Sequence, residues 1–101
     1  ADRWTNYDNP GQQAKEDIEL RVYCLAGDRT SFYLWANNRT GSARLVRCTI
    51  AGQSCALYLA KGRCNSPSKM KATAWTADPS VQIIGIDRDW VGLPAGTIRI
   101  Q

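Results

Sequence analysis

Four cysteines, at positions 24, 48, 55 and 64, carry the most versatile chemistry in this chain. Thiols can ligate zinc, act as nucleophiles or be oxidised to disulfides. The spacing argues against zinc: no Cys-x2-Cys pair occurs, and no histidine is present to complete a mixed site. An even number of cysteines inside one 41-residue stretch points instead to two disulfides, with buried thiols as the bland alternative. Disulfides imply a secreted, periplasmic or extracellular setting. Three pairings are open. The sequential one, Cys24–Cys48 with Cys55–Cys64, is favoured, its second bridge closing the irregular segment KGRCNSPSK.

Other chemistry is sparse. Without histidine there is no Ser-His or Cys-His arrangement. No glycine-rich phosphate loop is present, and oxidised cysteines are not nucleophiles. Asp87 and Asp89 stand two apart beside Arg88 and Trp90, so an extended backbone would set both carboxylates on one face. This group reads as a polar turn at a strand end. Glu16, Asp17 and Glu19 likewise read as a solvated strand edge. The expectation is a binding protein and not an enzyme, with no catalytic residue, no cofactor and no metal.

Charge and aromatic content suggest what is bound. The net charge is +4, from 13 basic and 9 acidic residues. Between Asp28 and Asp78 there is no acidic residue, while Arg29, Arg39, Arg44, Arg47, Lys61, Arg63, Lys69 and Lys71 all lie there. Such segregation predicts an electropositive face and an acidic partner. Four Trp and four Tyr add the residue types that dominate interfaces. Trp35 and Trp75 lie in strand patterns and read as core. Trp4 and Trp90 lie in polar contexts and read as contact residues, together with Arg39, Arg44, Arg47, Lys61 and Arg63. Arg44, Arg47, Tyr58, Lys69, Lys71 and Trp75 would also suit single-stranded nucleic acid on a sheet, but the disulfides argue against that partner. Asn38-Arg39-Thr40 is a glycosylation sequon, of weight only in a eukaryotic secretory pathway.

The elements that must position these residues are mostly strands. A chain of 101 residues allows one domain, 1–101. Residues 1–16 are polar around Asn9-Pro10-Gly11 and read as an N-terminal arm, with room for a helical turn over Gln12–Glu16. Period-two alternation begins at Ile18, with Ile18, Leu20, Val22 and Cys24 on one side. Ser31–Ala36 would pair with it as a hairpin, placing Phe32 and Leu34 opposite Tyr33 and Trp35. Ser42–Ile50, Cys55–Ala60, Met70–Ala77, Val81–Ile86 and Thr97–Gln101 follow, and Lys61–Lys69 is a loop. About seven short strands with regular turn signals predict a mainly β fold, a small antiparallel sandwich or barrel that admits one short helix. No segment has the length of a membrane span. Ala1 fits a mature end after cleavage, and the ending TIRIQ reads as a fragment of a longer protein.

The stretch Asp2-Arg3-Trp4-Thr5-Asn6-Tyr7-Asp8 carries a resemblance. Together with the four cysteines, the small β architecture and the tryptophan content, it resembles the N-terminal domain of filamentous phage minor coat (adsorption) proteins. A divergent member, such as that of the cholera-toxin phage, fits best. In the coliphage domains the stretch follows the first cysteine, whereas here it opens the chain. The resemblance implies a monomeric domain at the virion tip that binds the C-terminal domain of host periplasmic TolA. It also implies pairing of an exposed strand edge with the partner. No catalytic residue carries over. The competing expectation is a secreted or periplasmic inhibitor of a lysozyme or protease, presenting Lys61–Lys69 as a disulfide-clamped loop.

Overall fold

A computed structural model of the chain describes residues 7–25, 27, 30–50, 52–71 and 81–101. Nine strands run through them: β1 (Tyr7–Lys15), β2 (Ile18–Leu25), β3 (Ser31–Asn38), β4 (Arg44–Ile50), β5 (Gln53–Leu59), β6 (Gly62–Asn65), β7 (Met70–Lys71), β8 (Val81–Asp87) and β9 (Ile98–Ile100). One sheet has the order β1-β2-β3-β6, with β7 also pairing β3; the other has the order β8-β4-β5-β9. The two sheets face each other, so the fold is mainly β, as the alternation predicts. No helix occurs among the described residues.

Alternation explains which face of each strand is covered. In β2 the residues Ile18, Leu20, Val22 and Cys24 point inward, and in β3 Phe32, Leu34 and Ala36 do so. They meet Val46, Cys48, Ile50, Leu57, Leu59, Ile83 and Ile100 from the second sheet in one apolar core. Fully burying one such aliphatic side chain contributes about 1.5–3 kcal/mol. Buried Asn38 ties the sheets together at one end. Its Nδ2 donates to the Ser42 carbonyl at 2.9 Å and to the Leu59 and Ala60 carbonyls at 3.4 and 3.3 Å. Its Oδ1 accepts from the Thr40 backbone N–H at 3.0 Å and from the Thr40 hydroxyl at 2.6 Å. The sequon nitrogen is therefore buried in the fold.

The sandwich is stitched along both sides. The Asn65 and Gln101 backbones exchange hydrogen bonds of 3.0 and 3.3 Å, joining β6 to β9. On the opposite side the Gln13 side chain accepts from the Ile83 N–H, linking β1 to β8.

Three expectations are corrected. The polar segment before Ile18 is not a helical turn: β1 pairs antiparallel with β2 from Tyr7 to Lys15, and its register shifts between Asp8 and Gly11. Glu16 and Asp17, at φ 50° and 64°, make the two-residue turn that joins them, the left-handed geometry a tight hairpin requires. Lys61–Lys69 is a loop only in part, because Gly62–Asn65 adds to β3 and turns Cys64 inward while residues 66–69 stay irregular. Trp35 is not core: it lies on the outward side of β3, as its place opposite Phe32 and Leu34 demands. Met70–Lys71 is the described part of the expected Met70–Ala77 strand, and Trp75 lies outside the described residues.

Candidate functional site

The outward face of the first sheet collects side chains from three adjacent strands. Register sets Arg21 opposite Trp35, Glu19 opposite Asn37, and Tyr23 opposite Tyr33. On the other side of β3, Asn65 lies opposite Trp35 and Arg63 opposite Asn37. Directly opposed residues share a face, so the grid presents Trp35 at its centre and arginines around it.

Internal contacts hold the grid in place. The Arg21 guanidinium lies 4.2 Å from the centroid of the Trp35 ring, a cation–π stack. Its Nη2 is 3.1 Å from a Glu19 carboxylate oxygen, and its Nη1 donates to the Tyr23 hydroxyl at 3.3 Å. The Tyr23 hydrogen bond, followed by Glu19, pushes the Arg21 pKa up, against the opposing effect of burial. Arg39 approaches the other Glu19 oxygen at 3.8 Å. Glu19, Arg21, Tyr23, Trp35, Asn37, Arg39 and Arg63 line an open groove of about 340 Å³. With three arginines against one carboxylate, the groove is electropositive. Next to it, Tyr7 packs edge-on against Tyr33 with ring centroids 5.8 Å apart.

The residues expected to bind a partner divide among several places. Arg39 and Arg63 join the groove. Lys61 is exposed just before β6. Arg44 is buried, its guanidinium bonded to the Ser42 hydroxyl and the Ala43 carbonyl, so it closes a turn and is withdrawn from any partner. Arg47 lies on the second sheet, 3.1 Å from the Asp87 carboxylate. Trp90 packs against Tyr58 at 5.9 Å in the chain's own 88–97 crossover. Trp4 lies outside the described residues. Asp87 is thus one half of an ion pair, while Asp89 is exposed beyond the end of β8.

Arg21, Trp35 and Tyr23 were not expected at the site. The signal was present: each occupies the phase opposite a buried aliphatic run, and outward aromatics beside arginine mark a contact surface.

The four cysteines are unbonded thiols in this structure. Cys48 and Cys55 are direct partners across β4 and β5. Cys24 lies in β2 and Cys64 in β6, on either side of β3. The Cys48 thiol, hydrogen-bonded to the Cys55 sulfur, lowers the Cys55 pKa to about 7, and the same contact with burial pushes Cys48 well up. Burial raises Cys64 to about 11. Among the described residues no cluster of three or more Cys, Asp or Glu side chains suits a metal.

The strand edges are less inviting than this face. On one side of the sandwich β1 and β8 end their sheets, and on the other β6 and β9 do, joined to each other by the Asn65 and Gln101 backbones. In β1, Pro10 lacks an N–H and the register shift bends the strand, both of which blunt an edge. In β8, the Ile83 N–H is taken by Gln13. No family model, curated protein or solved structure matches the chain.

Proposed function

We propose that this chain is a protein-binding module that receives an acidic partner on the outward face of its first sheet. The observation that carries this reading is the electropositive groove built around Trp35, with Arg21, Arg39 and Arg63 at its walls and Tyr23 beside them. A rigid aromatic flanked by arginines is the composition of interface hot spots. The ion pairs with Glu19 hold Arg21 and Arg39 in place before any partner arrives, which lowers the ordering cost of binding.

The resemblance of residues 2–8 to the filamentous phage adsorption domain supplies a partner to test, the C-terminal domain of periplasmic TolA. In this reading the domain acts at the virion tip during entry into the host. It works in an oxidising compartment, where its cysteines become cross-linked. The contact is made chiefly by the arginine and tryptophan face, with edge pairing secondary because β1 and β8 are blunted and β6 and β9 are bonded to each other. The inhibitor reading is less favoured, because part of its presented loop, Gly62–Asn65, is strand β6.

Calorimetric titration of the chain with the TolA C-terminal domain tests the assignment. A saturable one-to-one isotherm in the micromolar range or tighter is expected, corresponding to about −8 kcal/mol or more. Absence of heat with TolA from several hosts would remove TolA as the partner.

A further inference from the structure

A second feature, independent of the partner, lies in the β4–β5 hairpin. Cys48 and Cys55 are directly opposed in an antiparallel pair, where Cα atoms lie about 4.5–5.5 Å apart. That separation falls within the span a disulfide accepts. Their thiols are already in hydrogen-bond contact. The hairpin is short and turns through Gly52 at φ 82°, with Ile50 opposite Gln53, so the register of the pair is fixed close to the turn.

The two sulfurs are unequal. Cys48 is buried in the core, whereas Cys55 is partly exposed and its thiol also donates to the Gln53 carbonyl at 3.8 Å. A shallow groove of about 390 Å³, lined in part by Cys48, Ser54, Cys55, Ala56, Ile84 and Pro94, opens at the pair, and of the two cysteines Cys55 is the more exposed to it. A small disulfide reagent therefore has access on the Cys55 side.

We propose that Cys48 and Cys55 form a cross-strand disulfide by exchange with an external disulfide, Cys55 attacking first and Cys48 resolving. In the first step the Cys55 thiolate attacks one sulfur of the oxidant. The oxidant's S–S bond breaks, one thiolate leaves, and a mixed disulfide stands at Cys55. Cys48 then gives up its proton to the solvent, and its sulfur attacks Cys55 Sγ. The second half of the oxidant leaves as a thiolate. In sum, two protein thiols are oxidised and one external disulfide is reduced to two thiols.

This assignment displaces the sequential pairing, which would draw on the same two sulfurs to reach Cys24 and Cys64 in the opposite sheet. Cys24, next to the Tyr23–Tyr33 pair, and Cys64, opposite Ala36, stand two strand spacings apart, about 9.5 Å, and are further offset along β3, beyond the ~7 Å limit for bridged Cα atoms.

The test uses the whole chain, reduced, exposed to glutathione disulfide near neutral pH, quenched with acid and digested with trypsin. Cleavage after Arg47 and Lys61 leaves both cysteines in one peptide, residues 48–61. The expected product is that peptide lighter by two hydrogens, with no link to the peptides carrying Cys24 or Cys64. Cys48→Ser should accumulate a stable glutathione adduct at Cys55, and Cys55→Ser should leave Cys48 unmodified on the same timescale. A map joining Cys24 to Cys48 and Cys55 to Cys64, or peptide 48–61 recovered with both thiols reduced, would overturn the proposal. An adduct trapped on Cys48 in the Cys55→Ser chain, as fast as that on Cys55, would overturn the order of attack. The wild-type map decides the pairing even if a variant fails to fold.

Discussion

Trp35 and Trp90 both lie half-buried on outward faces of the sandwich, each in a setting of tyrosine and arginine, yet their surroundings differ in kind. Trp35 belongs to the first sheet, where strands β2, β3 and β6 set their outward side chains side by side, Trp35 and Arg21 half-buried among them. Trp90 belongs to the crossover that carries the chain from β8 to β9 over the second sheet. Those two strands flank β4 and β5, so the connection must cross the outward side of both. It packs Trp90 on Tyr58, which Arg99 also stacks on at 5.1 Å, and Leu45, the cross-strand partner of Tyr58, is only 4% exposed. The second sheet has thus spent its aromatic surface on its own chain. Among the described residues no crossover packs over the first sheet, whose aromatic and arginines are organised by one another, which is why the binding reading rests there.

Replacing the two tryptophans in parallel separates the faces most sharply. Trp35→Ala is expected to weaken partner binding by about 2–4 kcal/mol, a loss of ~30-fold or more, as a central hot spot does. Its cost in stability should stay near ~1 kcal/mol, since half-buried cross-strand contacts and the Arg21 stack are lost. Trp90→Ala should do the reverse, lowering unfolding free energy by about 2 kcal/mol through lost burial and ring packing while leaving affinity unchanged. Denaturant melts and calorimetry on both variants check the pair of outcomes. Equal effects of the two on affinity would erase the distinction.

Much of this contrast can be read from the amino-acid pattern. The alternation in Ile18–Cys24 and Ser31–Ala36 places the inward residues correctly, and it also sets Trp35 on the outside. The core expectation for Trp35 came from weighing its hydrophobicity above its phase. Arg44 shows the same lesson in reverse: it shares its phase with Val46, Cys48 and Ile50, and burial follows. The strands β1 and β6 are not legible. YDNPGQQAK has a Pro-Gly pair and no β-branched residue, and GRCN is too short for periodicity. Both are strands because β2 and β3 offer hydrogen bonds from the sheet, a tertiary cause that local sequence does not carry. The pairing of Cys48 with Cys55 likewise depends on register, which spacing alone leaves open.

Electrostatics gives the next effect. The arginines around the groove should speed encounter with an acidic partner, so raising salt from low to physiological strength should reduce the association rate several-fold. Arg63→Ala, which removes a groove arginine with no ion pair among the described residues, should flatten that salt dependence. Arg47→Ala, which breaks the Arg47–Asp87 pair on the other sheet, should change neither rate nor salt slope. Because that pair is largely exposed, its loss should cost stability less than about 1 kcal/mol. A smaller signature belongs to the hairpin of the second sheet. In the reduced chain the thiolate fraction of Cys55 grows as pH rises, so alkylation there should reach half its maximal rate at about pH 7. An ordinary thiol reaches it near ~8.5. A midpoint at that ordinary value would mean that the Cys48 contact is not made in solution.

The most direct test of the central claim is a residue-by-residue map of the surface that meets the partner. Amide shifts of the isotopically labelled chain should be followed while the TolA C-terminal domain is added. The account predicts perturbations centred on Arg21, Tyr23, Trp35, Asn37 and Arg63, with the 88–97 crossover unchanged. Perturbations confined to the crossover and the second sheet, with the Trp35 face silent, would contradict it.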